Sequence, residues 1–224
     1  NGSSASFYMS MFTVPSDASV SISSTNVQPS NWHNEKQMIM MPYSQPSSTV
    51  SRFIAVWKIS GGYCQAQCID VNKSNGSISN VGSACQVGWI GYGSRVYADP
   101  HGICKCATAN RFVLTLYNAS AGAGGIDLID VNPSTGAITR NGGGYELSGN
   151  YGQQPDRNMN CVYDSNTDRI LVHWSHKSSP YYRNYQVVRV NGTTISVTGS
   201  GNFGAYFTRT TTTYDSALDK ICIV

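Results

Sequence analysis

Three neighbouring segments indicate the fold most clearly: Arg169-Ile170-Leu171-Val172-His173-Trp174, Tyr185-Gln186-Val187-Val188-Arg189-Val190 and Thr193-Thr194-Ile195-Ser196-Val197. The three segments are short and rich in β-branched and aromatic residues, a composition typical of β-strands. Asn191-Gly192 separates the last two segments, and an Asn-Gly pair in that position indicates a hairpin with a type I′ turn. With 158–163 as a preceding strand, the stretch predicts an antiparallel meander of four strands.

The same unit recurs along the chain. The pattern at Arg169 has counterparts at Arg52-Phe53-Ile54-Ala55, Arg111-Phe112-Val113-Leu114 and Lys220-Ile221-Cys222-Ile223, and the basic residues are 59, 58 and 51 positions apart. Fixed periods of this length, with several strands in each, indicate propeller blades. Apolar residues on both faces favour a central position in a sheet, so we expect a central strand to begin within about three residues of each basic marker.

The repeats predict an all-β fold, a β-propeller of four-stranded antiparallel blades with about four repeats of 50–60 residues. The predicted single domain, 1–224, contains complete blades at 36–90, 95–150 and 156–205 and partial blades at 1–30 and 206–224. The partial blades complement one another. In a closed four-bladed ring, 221–224 pairs with 7–14 and removes the open sheet edges. An excerpt of a longer protein would instead belong to a larger ring.

Composition narrows the classes of function. Charged residues make up 12% of the chain, and the formal net charge of +3 is scattered along it. No cluster of Lys and Arg suggests a nucleic-acid partner, and the apolar runs are too short for membrane insertion. The seven cysteines predict buried thiols that act as small hydrophobic residues. Free thiols in turn favour folding in a reducing cytoplasm.

Part of the sequence resembles the propeller-like repeats of bacteriophage tail-fibre and other virion proteins. Tyr163-Asp164-Ser165-Asn166-Thr167-Asp168-Arg169-Ile170-Leu171-Val172, its shorter copy at 214–224, and the hairpin at 190–197 carry the resemblance. The resemblance implies a structural or host-attachment role on a virus particle. The first unit departs from the pattern at Tyr43-Ser44-Gln45-Pro46, which lacks the Asp pair, so a different turn is expected there.

Candidate catalytic chemistry is sparse. The repeated Asp pairs at 164/168 and 215/219 suit either Ca²⁺ or turns that are closed by their own carboxylates, and turns are favoured. The three repeated arginines would suit a sialidase, but the Ser-x-Asp-x-Gly-x-Thr-Trp box of that family is absent. None of the twelve acids stands out as a catalytic pair. We therefore predict no catalytic residue, no metal and no cofactor.

Aromatic residues in predicted loops carry the remaining signal, because binding residues concentrate in loops. Flat aromatic faces beside neutral polar side chains suit sugar rings. Packing between blades or against a neighbouring subunit is the alternative. The predicted ligand-binding residues are Trp32, His33, Trp89, Tyr92, Tyr181, Tyr182 and Arg183.

The sequence therefore predicts a non-enzymatic virion structural protein, a tail-fibre or spike module for attachment to host-surface glycans. Expected partners are other virion proteins, further copies of the chain and a host glycan. The expected location is the virion, made in the host cytoplasm and extracellular when functional. The alternative is a secreted glycan-processing enzyme, sialidase-like or another glycoside hydrolase, on a propeller scaffold.

Overall fold

The structure, a computed structural model, describes residues 9–13, 21–27, 38–59, 64–88, 98–118, 123–142, 144–147, 155–176, 183–204 and 211–223. Within those ranges the only regular elements are strands, joined by turns. The seventeen strands are β1 Met9–Thr13, β2 Ser21–Val27, β3 Met38–Ser47, β4 Val50–Lys58, β5 Cys64–Asn72, β6 Ile78–Val87, β7 Ala98–Lys105, β8 Arg111–Asn118, β9 Ala123–Val131, β10 Ile138–Arg140, β11 Tyr145–Glu146, β12 Pro155–Asp164, β13 Arg169–His176, β14 Arg183–Asn191, β15 Thr194–Asn202, β16 Thr212–Asp215 and β17 Lys220–Ile223.

The fold is the predicted all-β propeller with four-stranded antiparallel blades. Blade 1 is β3-β4-β5-β6, and blade 3 is β12-β13-β14-β15. Blade 2 is β7-β8-β9-β10, with the short β11 also pairing with β9. Two hairpins, β1-β2 and β16-β17, form separate two-stranded sheets. Pairing of β17 with β1, which would close a four-bladed ring, does not occur within the described residues and stays a prediction.

The basic markers define the second strand of each blade. The strands β4, β8, β13 and β17 begin at Val50, Arg111, Arg169 and Lys220, which confirms the predicted strand starts. The strands β4, β8 and β13 are interior, as expected for strands with apolar residues on both faces. The strand β17 pairs only with β16 in the described part of the chain, so a central position is not observed for it.

The first strands of the three blades lie on the side where the blades meet. The fourth strands β6 and β15 are mostly exposed, which places them at the rim. The opposite sheet edges are β3, β7 and β12, and successive members of this series contact one another. These inner strands are the natural lining of a central site.

Apolar side chains pack between blades. One cluster joins blades 1 and 2 through residues such as Ile54, Val56 and Leu114, all fully buried. A second joins blades 2 and 3, with Val113, Leu128 and other buried residues. Each fully buried aliphatic side chain contributes roughly 1.5–3 kcal/mol, so the clusters stabilise the packing of the three blades on one another.

Cysteines contribute to this packing as thiols. All seven are free, and five of them are buried. Burial raises the pKa of the Cys68 thiol to about 11, so the nucleophilic thiolate is scarce near neutral pH. This agrees with a packing role.

Two of the repeated arginines connect neighbouring blades. Arg52 Nε donates to Asp70 Oδ1 at 2.7 Å within blade 1, and Arg52 Nη1 donates to the Pro133 carbonyl of blade 2 at 2.9 Å. Arg111 repeats the arrangement: it pairs with Asp130 in blade 2 and donates to the Gly192 carbonyl in blade 3. Their guanidinium groups thus bind the chain's own groups, an arrangement that differs from a sialidase's convergent arginine triad.

Blade 3 departs from this pattern. Arg189 occupies the third-strand position that Asp70 and Asp130 hold in the other blades, so Arg169 lacks that carboxylate partner. Arg189 Nε donates instead to Asp168 Oδ2 at 3.0 Å. The repeated basic residue therefore keeps its strand position without keeping its role.

The repeated acidic turns are closed by their own carboxylates. Asp164 Oδ1 accepts a hydrogen bond from the Asn166 amide at 2.9 Å, and Asp215 Oδ1 accepts one from the Ala217 amide at 2.9 Å. Asp168 and Asp219 adopt positive φ of 52° and 51°, a conformation that Asp tolerates better than most residues. Blade 1 differs as its sequence indicated, because β3 continues to Ser47 before the chain turns.

Candidate functional site

Most of the predicted ligand-binding residues lie outside the described residues. Arg183 is described, and it is the first residue of β14, with 1% of its surface exposed. The structure therefore places Arg183 in a buried cluster, whereas the sequence suggested an exposed loop. The predicted residues that lie outside the described ranges are Trp32, His33, Trp89, Tyr92, Tyr181 and Tyr182.

The described strands that begin or end next to these residues in the chain share one end of the blades. The segments 28–37 and 89–97 lead into the inner strands β3 and β7, and 177–182 joins β13 to β14. In an antiparallel meander, the end where the first strand begins is also the end where the second strand stops and the third begins. We call this the upper end. Groups at the upper ends of the inner strands are therefore the first place to look for a site.

Two aspartates occupy equivalent positions there. Asp99 and Asp156 are each the second residue of an inner strand, β7 and β12. In the registers, Asp99 lies opposite Tyr117 and Asp156 lies opposite Ser175. Sequence reasoning missed this pair, although a signal exists: the two residues are 57 positions apart, which matches the repeat period.

The inner strands of blades 2 and 3 come very close together. A Cβ atom added at Gly102 of β7 would lie 2.9 Å from Asn160 Oδ1 and 3.0 Å from the Cys161 amide nitrogen of β12. Such contacts are too tight for a side chain, so a glycine is needed where the strands meet. This approach places the strands that carry Asp99 and Asp156 side by side.

The other described aspartates are committed to structural contacts. Asp127 is fully buried, and both of its carboxylate oxygens accept from Arg140 Nε, at 3.0 and 2.7 Å. Burial raises the pKa of Asp127, while hydrogen bonds from Arg140 and from the Gly88 amide oppose that rise. The ion pairs and turns of the previous subsection use Asp70, Asp130, Asp164, Asp168, Asp215 and Asp219.

A buried polar cluster lies on the face of blade 3 near the upper end. Arg183 Nε donates to His173 Nδ1 at 2.8 Å, and Arg183 Nη1 donates to Ser175 Oγ at 3.3 Å. Ser175 is the cross-strand neighbour of both Asp156 and Arg183. The side chain of His173 is fully buried and hydrogen-bonded to Arg183.

This contact determines the protonation of His173. Because Arg183 donates to Nδ1, that nitrogen is the acceptor, and the neutral ring carries its proton on Nε2. Burial, aided by the charge of Arg183, lowers the pKa of His173 to about 3. Burial also lowers the pKa of Arg183 to about 10, which leaves it cationic near neutral pH. The cluster thus combines a cation with a neutral histidine.

The stability of the protein is expected to fall in acid because of His173. A histidine in the unfolded chain has a pKa near 6.5, whereas His173 in the folded protein has a pKa of about 3. Between these two pH values the unfolded chain therefore binds a proton at residue 173 that the folded protein does not bind. The contribution of neutral His173 to the free energy of unfolding is complete above pH 6.5. It declines as the pH falls, by about 3 kcal/mol between pH 6.5 and pH 4. Denaturant unfolding at several pH values measures it.

His173→Gln removes the titrating group and should flatten this part of the pH profile. His101→Gln is the matched histidine control. The assignment is contradicted if wild type and His173→Gln lose stability equally between pH 6.5 and pH 4.

The opposite end of the blades has an open cleft of about 300 Å³ between blades 1 and 2. Tyr43, Lys105, Asn110, Phe112 and Pro133 contribute to its lining. Tyr43 Oη donates to Asn110 Oδ1 at 2.8 Å, and the Tyr43 ring packs edge-on against Phe112. These contacts bind blade to blade, and the described lining brings no pair of carboxylates together.

No group of three or more His, Cys, Asp or Glu side chains is suitably placed to hold a metal ion within the described ranges. Across the same residues there is no helix of the length and apolar character that a membrane span requires.

No protein-family model and no curated protein sequence matches the chain. Among solved structures, it is similar to a thermostable family-43 glycoside hydrolase, with 12% identity, a TM-score of 0.48, and coverage of 87% of this chain and 71% of the other. A periplasmic gluconolactonase from Pseudomonas aeruginosa has 9% identity, a TM-score of 0.41 and coverage of 85% and 62%. A protein described as a 6-phosphogluconolactonase from Bacteroides fragilis NCTC 9343 has 11% identity, a TM-score of 0.42 and coverage of 89% and 67%.

These comparisons correct one prediction from the sequence. The sequence predicts a protein that is not an enzyme. The similarity to structures that are named as a glycoside hydrolase and as lactonases contradicts this prediction, which is wrong. At 9–12% identity the likeness shows the fold alone, so the activity has to be argued from the chain's own residues.

Proposed function

We propose that the protein is a glycan-processing enzyme, a glycoside hydrolase built on a propeller scaffold, with Asp99 and Asp156 as its catalytic carboxylic acids. The observation that carries the proposal is the equivalent placement of these residues on adjacent inner strands, at the upper end of blades 2 and 3. The two strands approach closely at Gly102, and the carboxyl groups of glycosidases are about 5–10 Å apart. The close approach of the strands supports such a pair.

The neighbours of the two aspartates support different roles. The row of blade 3 that contains Asp156 continues through Ser175 to the cationic Arg183, two strands away. Over the two strand spacings between them, about 10 Å, the positive charge of Arg183 attracts an anion at position 156. The row of blade 2 runs from Asp99 through Tyr117 to Gly124 and contains no cation. We assign the carboxylate that assists attack to Asp156 and the general acid to Asp99.

The reaction follows from these roles. Asp99 transfers its proton to the glycosidic oxygen as the bond from that oxygen to the anomeric carbon breaks. Asp156 acts on the other face of the sugar ring, either as the nucleophile or by accepting a proton from the attacking water. The aromatic residues at 89, 92, 181 and 182 precede β7 or β14 in the chain, and flat aromatic faces suit sugar rings. Placement on a virion and attachment to host glycans remain compatible with such an enzyme.

Release of reducing ends tests the proposal. Purified protein should generate reducing sugar ends from at least one member of a panel of neutral and acidic polysaccharides. The double variant Asp99→Asn/Asp156→Asn, shown to be folded by circular dichroism, is the matched inactive control. The proposal fails if folded wild type releases no more reducing sugar from any polysaccharide in the panel than this variant does.

A further inference from the structure

We infer that His173 and Arg183 form a binding subsite for the carboxylate of an acidic sugar, so that the substrate of the proposed hydrolase contains a uronic acid. The inference rests on the proposed function for the reaction, but its own observation is separate. His173 Nε2 is buried and has no hydrogen-bond partner within the described part of the chain.

The donor character of this nitrogen follows from geometry. Arg183 Nε donates to His173 Nδ1 at 2.8 Å, so Nδ1 is an acceptor and the neutral ring bears its hydrogen on Nε2. A buried N–H group without an acceptor destabilises a protein. Such a group in a native structure calls for a partner, and a bound ligand supplies one.

Charge determines which partner fits. The guanidinium of Arg183 is 1% exposed and donates to Nδ1 of the same imidazole, so a cation lies one ring width from the Nε2–H group. A cationic, largely dehydrated donor site favours an anionic oxygen over a neutral hydroxyl, because hydrogen bonds to charged groups are stronger. Among sugar substituents, a carboxylate meets this requirement.

The location connects the subsite to the proposed reaction centre. Arg183, Ser175 and Asp156 form one row across three adjacent strands of blade 3. With strands about 4.8 Å apart, the backbones of Arg183 and Asp156 are about 10 Å apart. That distance is comparable to the size of one or two sugar units, so the carboxylate belongs to a sugar at or beside the cleaved bond.

Binding of two matched probes tests the inference. Methyl glucuronide and methyl glucoside differ by a carboxylate in place of a hydroxymethyl group. Wild type should bind the glucuronide about 10- to 100-fold more tightly in calorimetric titrations, as a charged hydrogen bond implies. His173→Phe should lose this preference, whereas His173→Gln, whose amide both accepts and donates, should retain most of it.

Thr115→Val is the matched control, because Thr115 is buried at the corresponding position of β8 in blade 2. This variant should leave the preference unchanged. Equal binding of both probes by wild type overturns the inference, and so does an undiminished preference in folded His173→Phe.

Nuclear magnetic resonance of the wild-type protein tests whether the glucuronide contacts His173, even where a variant does not fold. In protein labelled with ¹⁵N-histidine, His173 should show the Nε2–H form, and its signal should shift on addition of methyl glucuronide. A signal that stays unchanged at saturating glucuronide indicates an internal water as the partner and overturns the inference. Hydrolysis of neutral glycans without a glucuronide preference refutes this inference alone, while a glucuronide preference without any hydrolysis refutes the proposed function alone.

Discussion

Asp156→Asn is expected to lower the rate of glycan hydrolysis by about 10²- to 10⁴-fold, the range of a lost acid or base catalyst. Asparagine keeps the shape of the side chain but neither accepts a proton nor attacks the anomeric carbon. Because Asp156 is assigned to the attack on the anomeric carbon, its loss should slow the hydrolysis of natural oligosaccharides and of activated aryl glycosides alike. Steady-state rates on both substrate types measure the effect.

Asp99→Asn should behave differently. A natural sugar leaving group needs a proton, whereas a nitrophenolate leaves readily without one. The Asp99 variant should therefore hydrolyse oligosaccharides more slowly by a factor similar to that of Asp156→Asn. It should retain most of its activity on a 4-nitrophenyl glycoside. This contrast distinguishes the general acid from the carboxylate that assists attack.

Asp215→Asn provides the matched control. The Asp215 carboxylate closes a turn by accepting from the Ala217 amide at 2.9 Å, a contact that an asparagine oxygen reproduces. Its rates should equal those of wild type. If folded Asp99→Asn and Asp156→Asn also hydrolyse both substrates at the wild-type rate, the two aspartates are not the catalytic pair.

Asp130→Ala is expected to give the second large effect, a loss of about 3 kcal/mol in the free energy of unfolding. Asp130 Oδ1 and Oδ2 accept from Arg111 at 2.7 and 2.8 Å. The Arg111 side chain is 9% exposed, so removal of the carboxylate leaves a nearly buried guanidinium without its counter-charge. Arg111 also donates to the Gly192 carbonyl, and the damage should therefore spread to the contact between blades 2 and 3.

Two further variants make this prediction specific. Arg189→Met breaks an ion pair whose side chains are 51% and 30% exposed, and should change stability by less than about 1 kcal/mol. The double variant Arg111→Met/Asp130→Ala removes both charges and should be more stable than Asp130→Ala alone. Midpoints of guanidinium unfolding measure all three. A loss in Asp130→Ala no larger than that in Arg189→Met contradicts the structural role of the pair.

Local patterns in the sequence determined the strands and the repeat. Alternating and continuous apolar segments, the Asn191-Gly192 turn and the recurring basic residues were sufficient to predict β4, β8 and β13. These signals depend on residues close together in the chain, because strand formation and turn geometry depend chiefly on neighbours. The four-stranded blades follow from such local order.

The site depended on contacts that no local pattern contains. Arg183 was expected on a loop surface, but the register of β13 with β14 sets it beside His173 and Ser175, and His173 Nδ1 accepts a hydrogen bond from Arg183 Nε. Asp99 and Asp156 are 57 residues apart, a match to the repeat period that sequence reasoning overlooked. Only the packing of β7 against β12 shows that equivalent positions in successive blades are neighbours in space. Burial, the shifted pKa of His173 and the meeting of two carboxyl-bearing strands arise from sheet-on-sheet packing, which joins residues far apart in the chain.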